Sequence, residues 1–304
     1  MYSGAVLVDK PAGITSHDLV AKVRKVLKQK RVGHTGTLDP FATGLMIVCF
    51  GKATRLVQFL TGEDKSYIAT VRIGFATDTQ DITGTKISEQ VDTGSIDKEI
   101  IRTMLSSFVG KQEQIPPMYS AKKIAGQALY KLARKGEVID RKTVTIVVKS
   151  INLVDEQIVV KNDETREFTM MVDCSAGTYI RTLAHDIGQR LGCGAHLSGL
   201  KRVRIGDFGL EDSVSLEKLM SEGSIEKFLL TPDRLMSNYP KYVVADEQIE
   251  KVKHGQGLKV SDQDFFTDLG NWVRILDNSS RLVALAQVLG SEERSLQPKI
   301  VLVD

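Results

Sequence analysis

The chain has 304 residues, 42% of them apolar, with 41 Lys and Arg against 38 Asp and Glu. That length fits two domains, or one large domain with an appendage, and the apolar content supports a sizeable core. The longest apolar run is six residues, too short to span a membrane, and Met1–Val6 lacks the basic-then-apolar order of a secretory leader. Three cysteines, Cys49, Cys174 and Cys193, form no Cys-x-x-Cys pair and read as free thiols of a reducing, cytoplasmic compartment. The charge is uneven. Residues 1–206 carry 30 Lys and Arg against 21 acids, whereas 207–304 carry 11 against 17. One basic cluster holds Lys22, Arg24, Lys25, Lys28, Lys30 and Arg31, and a second holds Lys122, Lys123, Lys131, Arg134, Lys135, Arg141 and Lys142. Such clusters suit a phosphate backbone and predict salt-sensitive binding.

In chain order, Gly4–Val8 reads as a strand and Asp9–Gly13 as a turn. Ser16 is placed to cap a helix whose apolar positions are Leu19, Val20, Val23, Val26 and Leu27. Gly33–Gly44 follows as a loop. Asp39 precedes Pro40, which pushes it out of the helical region, so the loop holds one carboxylate in a fixed place. Leu45–Phe50 is apolar throughout and bounded by Gly44 and Gly51, the pattern of a buried strand. Ala53–Leu60 reads as a short helix with Leu56, Val57 and Leu60 inward. Lys65–Gly74 is rich in β-branched residues and reads as a strand. The loop Thr77–Gly84 carries Asp78 and Asp81, but its spacing fits no calcium loop.

Asp97–Phe108 reads as a helix, and 114–121 is held extended by Pro116 and Pro117. Gly126–Lys135 reads as a basic helix closed by Gly136. Thr143–Leu153 and Glu167–Cys174 read as strands. A helix runs from Thr178 to about Leu191 with Arg181 in its first turn, and Leu197–Phe208 is extended. Short helices fit 214–222 and 224–230. Pro232 and Pro240 bracket an apparent linker. Beyond it, strands at Val273–Leu276, Leu282–Val288 and Ile300–Val303 and a helix near 246–253 suggest a compact β-rich second domain. This mixture favours α+β with a largely antiparallel sheet.

Several motifs fail. Gly51-Lys52 is followed by Ala53, so no phosphate-binding P-loop forms. There is no His-Glu-x-x-His helix and no Gly-x-Ser-x-Gly elbow. His17, His185, His196 and His254 stand apart from one another and read as structural. Neither a metal nor a cofactor is called for.

The stretch Gly33-His34-Thr35-Gly36-Thr37-Leu38-Asp39-Pro40, with Ala42-Thr43-Gly44, resembles the catalytic loop of the bacterial tRNA pseudouridine-55 synthase family. The resemblance covers nearly the whole chain. It includes Lys10-Pro11 with Gly13, Lys65-x-Tyr67, Thr77-Asp78-Thr79-x-Asp81-x-x-Gly84, Ile115–Ala121, Gly177–Arg181 and Leu191–Leu197. It departs at Lys201, where the family often has arginine, which loses bidentate geometry. The family implies a pseudouridine-synthase fold over 1–235, with an inserted RNA-clasping segment at about 110–142, expected to be mobile without RNA. It also implies a small β-barrel RNA-binding (PUA-like) domain over 236–304.

By the same resemblance the chain isomerises uridine 55 in the T loop of tRNA, unaided by guide RNA or cofactor. Asp39 is the catalytic carboxylate, Arg181 pairs with it, and Tyr67 stacks on the uracil or takes the C5 proton. Leu200 is an apolar wall and Tyr179 a further substrate contact. His34 stacks where the flipped base has left or on extruded nucleotides, and Lys10 holds phosphate. The expected partner is the T stem-loop of tRNA, with no membrane and no obligate protein partner, and a monomer is the default. The other class of reading is an RNA-binding folding helper with an idle site. A pure binder has no use for a carboxylate among phosphates, which favours the enzyme, though an added role in tRNA folding stays open.

Overall fold

The structure is a computed structural model, and it describes residues 2–120, 139–154, 157–260, 270–290 and 294–303, with the strands at 123–124 and 127–128. Strand β1 (Gly4–Lys10) leads into helix α1 (Ser16–Leu27), then β2 (Val32–His34) and β3 (Thr43–Phe50). A 3-10 turn (Gly51–Leu56) and α2 (Val57–Thr61) follow, then β4 (Lys65–Ile73) and α3 (Lys98–Ser106). Next come β5 (Gly110–Gln114), the short pair β6 (Lys123–Ile124) and β7 (Gln127–Ala128), β8 (Val144–Leu153), β9 (Val159–Val160) and β10 (Arg166–Cys174). Helix α4 (Ile180–Arg190) precedes β11 (Ala195–Ile205), β12 (Phe208–Gly209), β13 (Val214–Ser215) and α5 (Leu216–Glu222). Helix α6 (Pro232–Leu235) leads to β14 (Lys241–Val243), α7 (Asp246–Lys253), β15 (Leu258–Lys259), β16 (Trp272–Leu276), β17 (Leu282–Leu289) and β18 (Ser295–Val301).

The large sheet has the path β13-β1-β3-β11-β4-β10-β8-β5. Its pairs are antiparallel except β1 with β13 and β3 with β11, so the α+β, largely antiparallel expectation holds. The buried run of β3 follows from coverage on both faces. Met46, Val48 and Phe50 face a core shared with α1, α3 and α4. Leu45, Ile47 and Cys49 face a second core with Ala53, Leu56 and Leu60.

Several local expectations are corrected. Thr15, not Ser16, caps α1: its hydroxyl accepts from the Asp18 N–H at 3.1 Å, and the Asp18 carboxylate accepts from the Thr15 N–H at 3.0 Å. Ser16 instead bonds both backbone groups of Leu38, beside Asp39, at 2.9 and 3.0 Å. Asp9 and Lys10 belong to β1, paired with Leu45 and Gly44, so the turn starts later than read. Residues 214–215 are a strand because they pair with Val8 and Asp9, and the second short helix is only a 3-10 turn at Glu226–Phe228. Gln127–Ala128 pairs with Lys123–Ile124, where a helix over 126–135 was expected to begin. The rest of that basic helix lies outside the described residues, as do 121–122, 125–126 and 129–138 of the expected clasping segment.

The prolines at 232 and 240 do not bracket a free linker. Pro232 starts α6, capped by the Thr231 hydroxyl. Leu235 and Met236 are buried in the second core with Ala5, Leu7, Leu282 and Leu285. The C-terminal sheet, β14-β16-β17-β18-β15, is a half-barrel consistent with a PUA-like domain. It docks through Phe59, whose ring meets Trp272 edge-on at 4.9 Å, and through Arg55, which donates to the Val301 carbonyl at 2.8 Å. Among the described residues no helix is long and apolar enough to cross a membrane, and no group of three or more His, Cys, Asp or Glu could hold a metal. Cys49, Cys174 and Cys193 are buried free thiols.

Candidate active site

Asp39 and Arg181 meet in a cavity of about 250 Å³, with Tyr67, Tyr179, Leu200 and Arg202 also in its lining. The elements that bring them together are distant in sequence. Asp39 rides the loop between β2 and β3, Tyr67 is on β4, Arg181 opens α4, and Leu200 and Arg202 are on β11.

The Asp39 loop is braced from below. Ser16 holds Leu38, and the Gly13 N–H donates to the Pro40 carbonyl at 2.8 Å. Lys10, expected at a phosphate, is fully buried under this loop. Its ammonium donates to the carbonyls of Pro11, Ile14 and Pro40 at 2.9, 2.8 and 3.4 Å. Burial pulls the Lys10 ammonium down to about 8, with the Asp39 charge opposing that shift. In this arrangement Lys10 is a strut for the carboxylate-bearing loop.

Arg181 meets four acceptor groups. Its Nη2 donates to Asp39 Oδ1 at 3.2 Å and its Nε stands 3.0 Å from Oδ2, so the guanidinium forks across both carboxylate oxygens. Nη1 donates to Asp81 Oδ2 at 3.3 Å and to the Thr79 carbonyl at 3.1 Å, and Nη2 donates to the Tyr119 carbonyl at 2.7 Å. All four N–H groups of the two terminal nitrogens are thereby used. Asp81 is buried, and its other oxygen accepts from Thr79 Oγ1, the Thr83 N–H and Thr83 Oγ1 at 2.8, 2.9 and 2.5 Å. In the sequence Asp81 stands in a motif of the family and in a loop whose spacing fits no calcium site, with nothing there that pairs it with Arg181. The signal available was a second acid in a loop whose threonines could satisfy it.

The charge balance at Asp39 differs from a simple ion pair. Burial raises its carboxyl above the usual range, Arg181 pulls it down, Asp81 pushes it up and Lys10 pulls it down, in that order, for a net rise. Arg181 favours the ionised form, but desolvation outweighs it.

Arg202 follows Lys201 on β11. It is fully buried because β11 runs parallel to β3 and pairs Arg202 with Gly44. A Cβ at Gly44 would lie 2.2 Å from the Arg202 carbonyl oxygen, and Gly44 has φ +104°, so only glycine fits. The Arg202 guanidinium donates to the carbonyls of Leu45 at 2.8 Å and Gly36 at 3.0 Å. Burial raises the Tyr67 phenol, Arg202 partly opposing, so it is protonated at neutral pH.

His34 stands on β2 beside the cavity but not in its lining. Its Nδ1 accepts from the Gly36 N–H at 3.2 Å, and burial, then Arg202, lowers it, so the ring is neutral. Leu200 and Tyr179 are half-buried in the cavity wall.

The model for the N-terminal domain of TruB family pseudouridylate synthases matches residues 24–180, and that for the tRNA pseudouridylate synthase B C-terminal domain matches 181–235. A Bacillus thuringiensis (strain Al Hakam) protein named tRNA pseudouridine synthase B is 41% identical over 308 residues, covering 99% of this chain and 97% of its own length. Its Bacillus subtilis (strain 168) namesake is 39% identical, covering 100% and 98%. Among solved structures, an H/ACA RNP bound to a substrate RNA containing 2′-deoxyuridine aligns with TM-score 0.72 at 25% identity, over 99% of this chain and 85% of that one. A Cbf5-Nop10-Gar1 complex aligns with TM-score 0.69 at 26% identity, over 99% and 85%. The chain therefore belongs to the TruB family of pseudouridylate synthases and is an isomerase.

Proposed function

We propose that the chain converts uridine 55 in the T loop of tRNA to pseudouridine, without guide RNA, and that Asp39 is the catalytic carboxylate. The reaction breaks the N1–C1′ bond, turns the uracil and joins C5 to C1′. C5 loses a proton and N1 gains one, so no electrons are exchanged with another molecule. The observation that carries the reading is the Asp39–Arg181 fork on one wall of a cavity of about 250 Å³, whose apolar and aromatic lining suits one flipped base. The relatives that match this chain end to end are named for tRNA, which supports that substrate.

In this reading Asp39 presents an anionic oxygen to the uridine. Arg181 fixes the carboxylate in both orientation and charge. Tyr67 stacks on the uracil, and its protonated phenol suits stacking better than service as a base. Leu200 forms the apolar wall, and Tyr179 lies against the nucleotide. Extrusion costs a few kcal/mol, offset by contacts to the opened loop. The neutral ring of His34 suits stacking on displaced bases. Lys10 supports the Asp39 loop, and the α1 lysines meet phosphate. The same reading makes the protein a cytoplasmic monomer that needs no protein partner.

The test is a T stem-loop transcript incubated with the protein alone, followed by carbodiimide modification and primer extension. A single pseudouridine at position 55 is expected. No pseudouridine, or pseudouridine only when another RNA is added, overturns the reading.

A pH dependence follows. Single-turnover rate requires ionised Asp39, whose carboxyl is raised. The rate should fall as pH drops, with a midpoint above the ordinary aspartate value of about 3.9, and level off above it. Rates measured across pH on tRNA that stays folded check this, and a midpoint at or below the ordinary value contradicts it.

A further inference from the structure

We propose that Gln114 is a positioning residue for the reaction: its carboxamide clamps the backbone of Tyr179 and so fixes Arg181 against Asp39. The inference rests on the role given to Asp39 above. Gln114 Nε2 donates to the Tyr179 carbonyl at 3.0 Å, and the Tyr179 N–H donates to Gln114 Oε1 at 2.8 Å. The side chain thus mimics a strand's backbone, gripping one residue at two points.

The grip falls where α4 needs it. A helix start leaves backbone N–H groups unsatisfied, and Tyr179 at the N-cap provides no side-chain cap. Arg181 stands two residues further on. Its bidentate hold on Asp39 depends on where the helix begins, and displacements near 1 Å cost about 100-fold in rate at such sites. Gln114 is itself rigid. It is 2% exposed, and it ends β5 in register with Val144 of β8.

The chain following Gln114 returns to the same arginine. The Tyr119 carbonyl accepts from Arg181 Nη2 at 2.7 Å. Between them, the Pro116 carbonyl accepts from Arg141 Nη1 at 3.0 Å. Residues 114–119 therefore form a strap that holds both the backbone before Arg181 and the guanidinium itself. Pro116 and Pro117 stiffen it.

The experiment uses Gln114→Met, similar in length but without hydrogen-bonding groups, in the full chain. Single-turnover rate, tRNA Kd, pH–rate profile and Tm are measured beside wild type, Arg181→Lys and the double variant. The single-turnover rate should fall about 100-fold with tRNA Kd within a few fold. The acid limb should move to higher pH, because a loosened Arg181 opposes the rise in Asp39 less. In the Arg181→Lys background the further loss should be small, since both changes release the same contact. Multiplicative losses, or a lower Tm with an unmoved acid limb, would reduce Gln114 to a structural residue. Gln114→Glu, which keeps the acceptor for the Tyr179 N–H, should show a smaller shift in the same direction and serves if Gln114→Met folds poorly. Asp39→Asn in the same series separates the two failures. Full activity there removes the Asp39 role, whereas Gln114–Arg181 additivity removes only the clamp.

Discussion

Asp39→Asn should lose at least about 1000-fold in single-turnover rate while binding tRNA as tightly as wild type or slightly better. The side chains are nearly the same size. One oxygen remains to accept from Arg181, and the bracing by Ser16 and by the Gly13 N–H acts on the backbone of Leu38 and Pro40 rather than on the carboxylate. What is lost is the anionic oxygen. Removing a negative charge from a surface that meets phosphate favours binding. Stability should change little. A carboxyl whose folded value is raised binds more protons folded than unfolded, so its contribution falls as pH rises through that window. Asparagine escapes this cost but surrenders the bidentate pair, and the two oppose each other. Tm within about 3 °C of wild type is the expected result. Parallel loss of rate, affinity and Tm would show that Asp39 shapes the loop instead.

Arg181→Ala should produce the second large effect, and on two quantities. The rate should fall about 100- to 10,000-fold, because two neighbouring carboxylates, one in the cavity wall and one buried behind it, then lose their shared cation. Asp39 would be raised further, moving the acid limb upward. Stability should fall by about 3 kcal/mol, the usual cost of removing one partner of a buried ion pair, since Arg181 and Asp81 are both almost fully buried. Arg181→Lys should keep most of the stability but not the rate, because an ammonium cannot span both Asp39 oxygens and also reach Asp81. Assays below the unfolding transition, with Tm recorded for each variant, separate the effects. A near-normal rate for Arg181→Ala would remove the fork from the mechanism.

Much of this site is legible in the chain, and the exceptions share a cause. The glycine-bounded loop at Asp39 and the apolar run after it have local signatures; the run is the buried strand expected, and the loop is shorter than its reading as 33–44 because Gly33 and His34 pair in β2 and Thr43 and Gly44 belong to β3. Arg181 can be matched to Asp39 only through resemblance, since 142 positions separate them. Lys10, Asp81 and Arg202 look like ordinary surface charges in sequence. Each is buried by tertiary arrangements with no local pattern. Lys10 is covered because the turn after β1 folds beneath Pro40, and its ammonium is met by backbone carbonyls rather than an acid. Arg202 is covered because β11 pairs with β3 in parallel, a register that adjacent residues do not encode. The segment around Pro232 departs from its reading as a linker for a related reason. Prolines mark breaks in regular structure, but here one starts a short helix whose Leu235 fills the second core.

The proposed activity is isomerisation of one uridine in the T loop of tRNA. The most direct measurement is tritium release from tRNA labelled at C5 of uridine, compared with the same tRNA carrying cytidine at position 55. The account predicts release of one tritium per tRNA from the first and none from the second. Equal release from both, or none from either with tRNA binding intact, would contradict it.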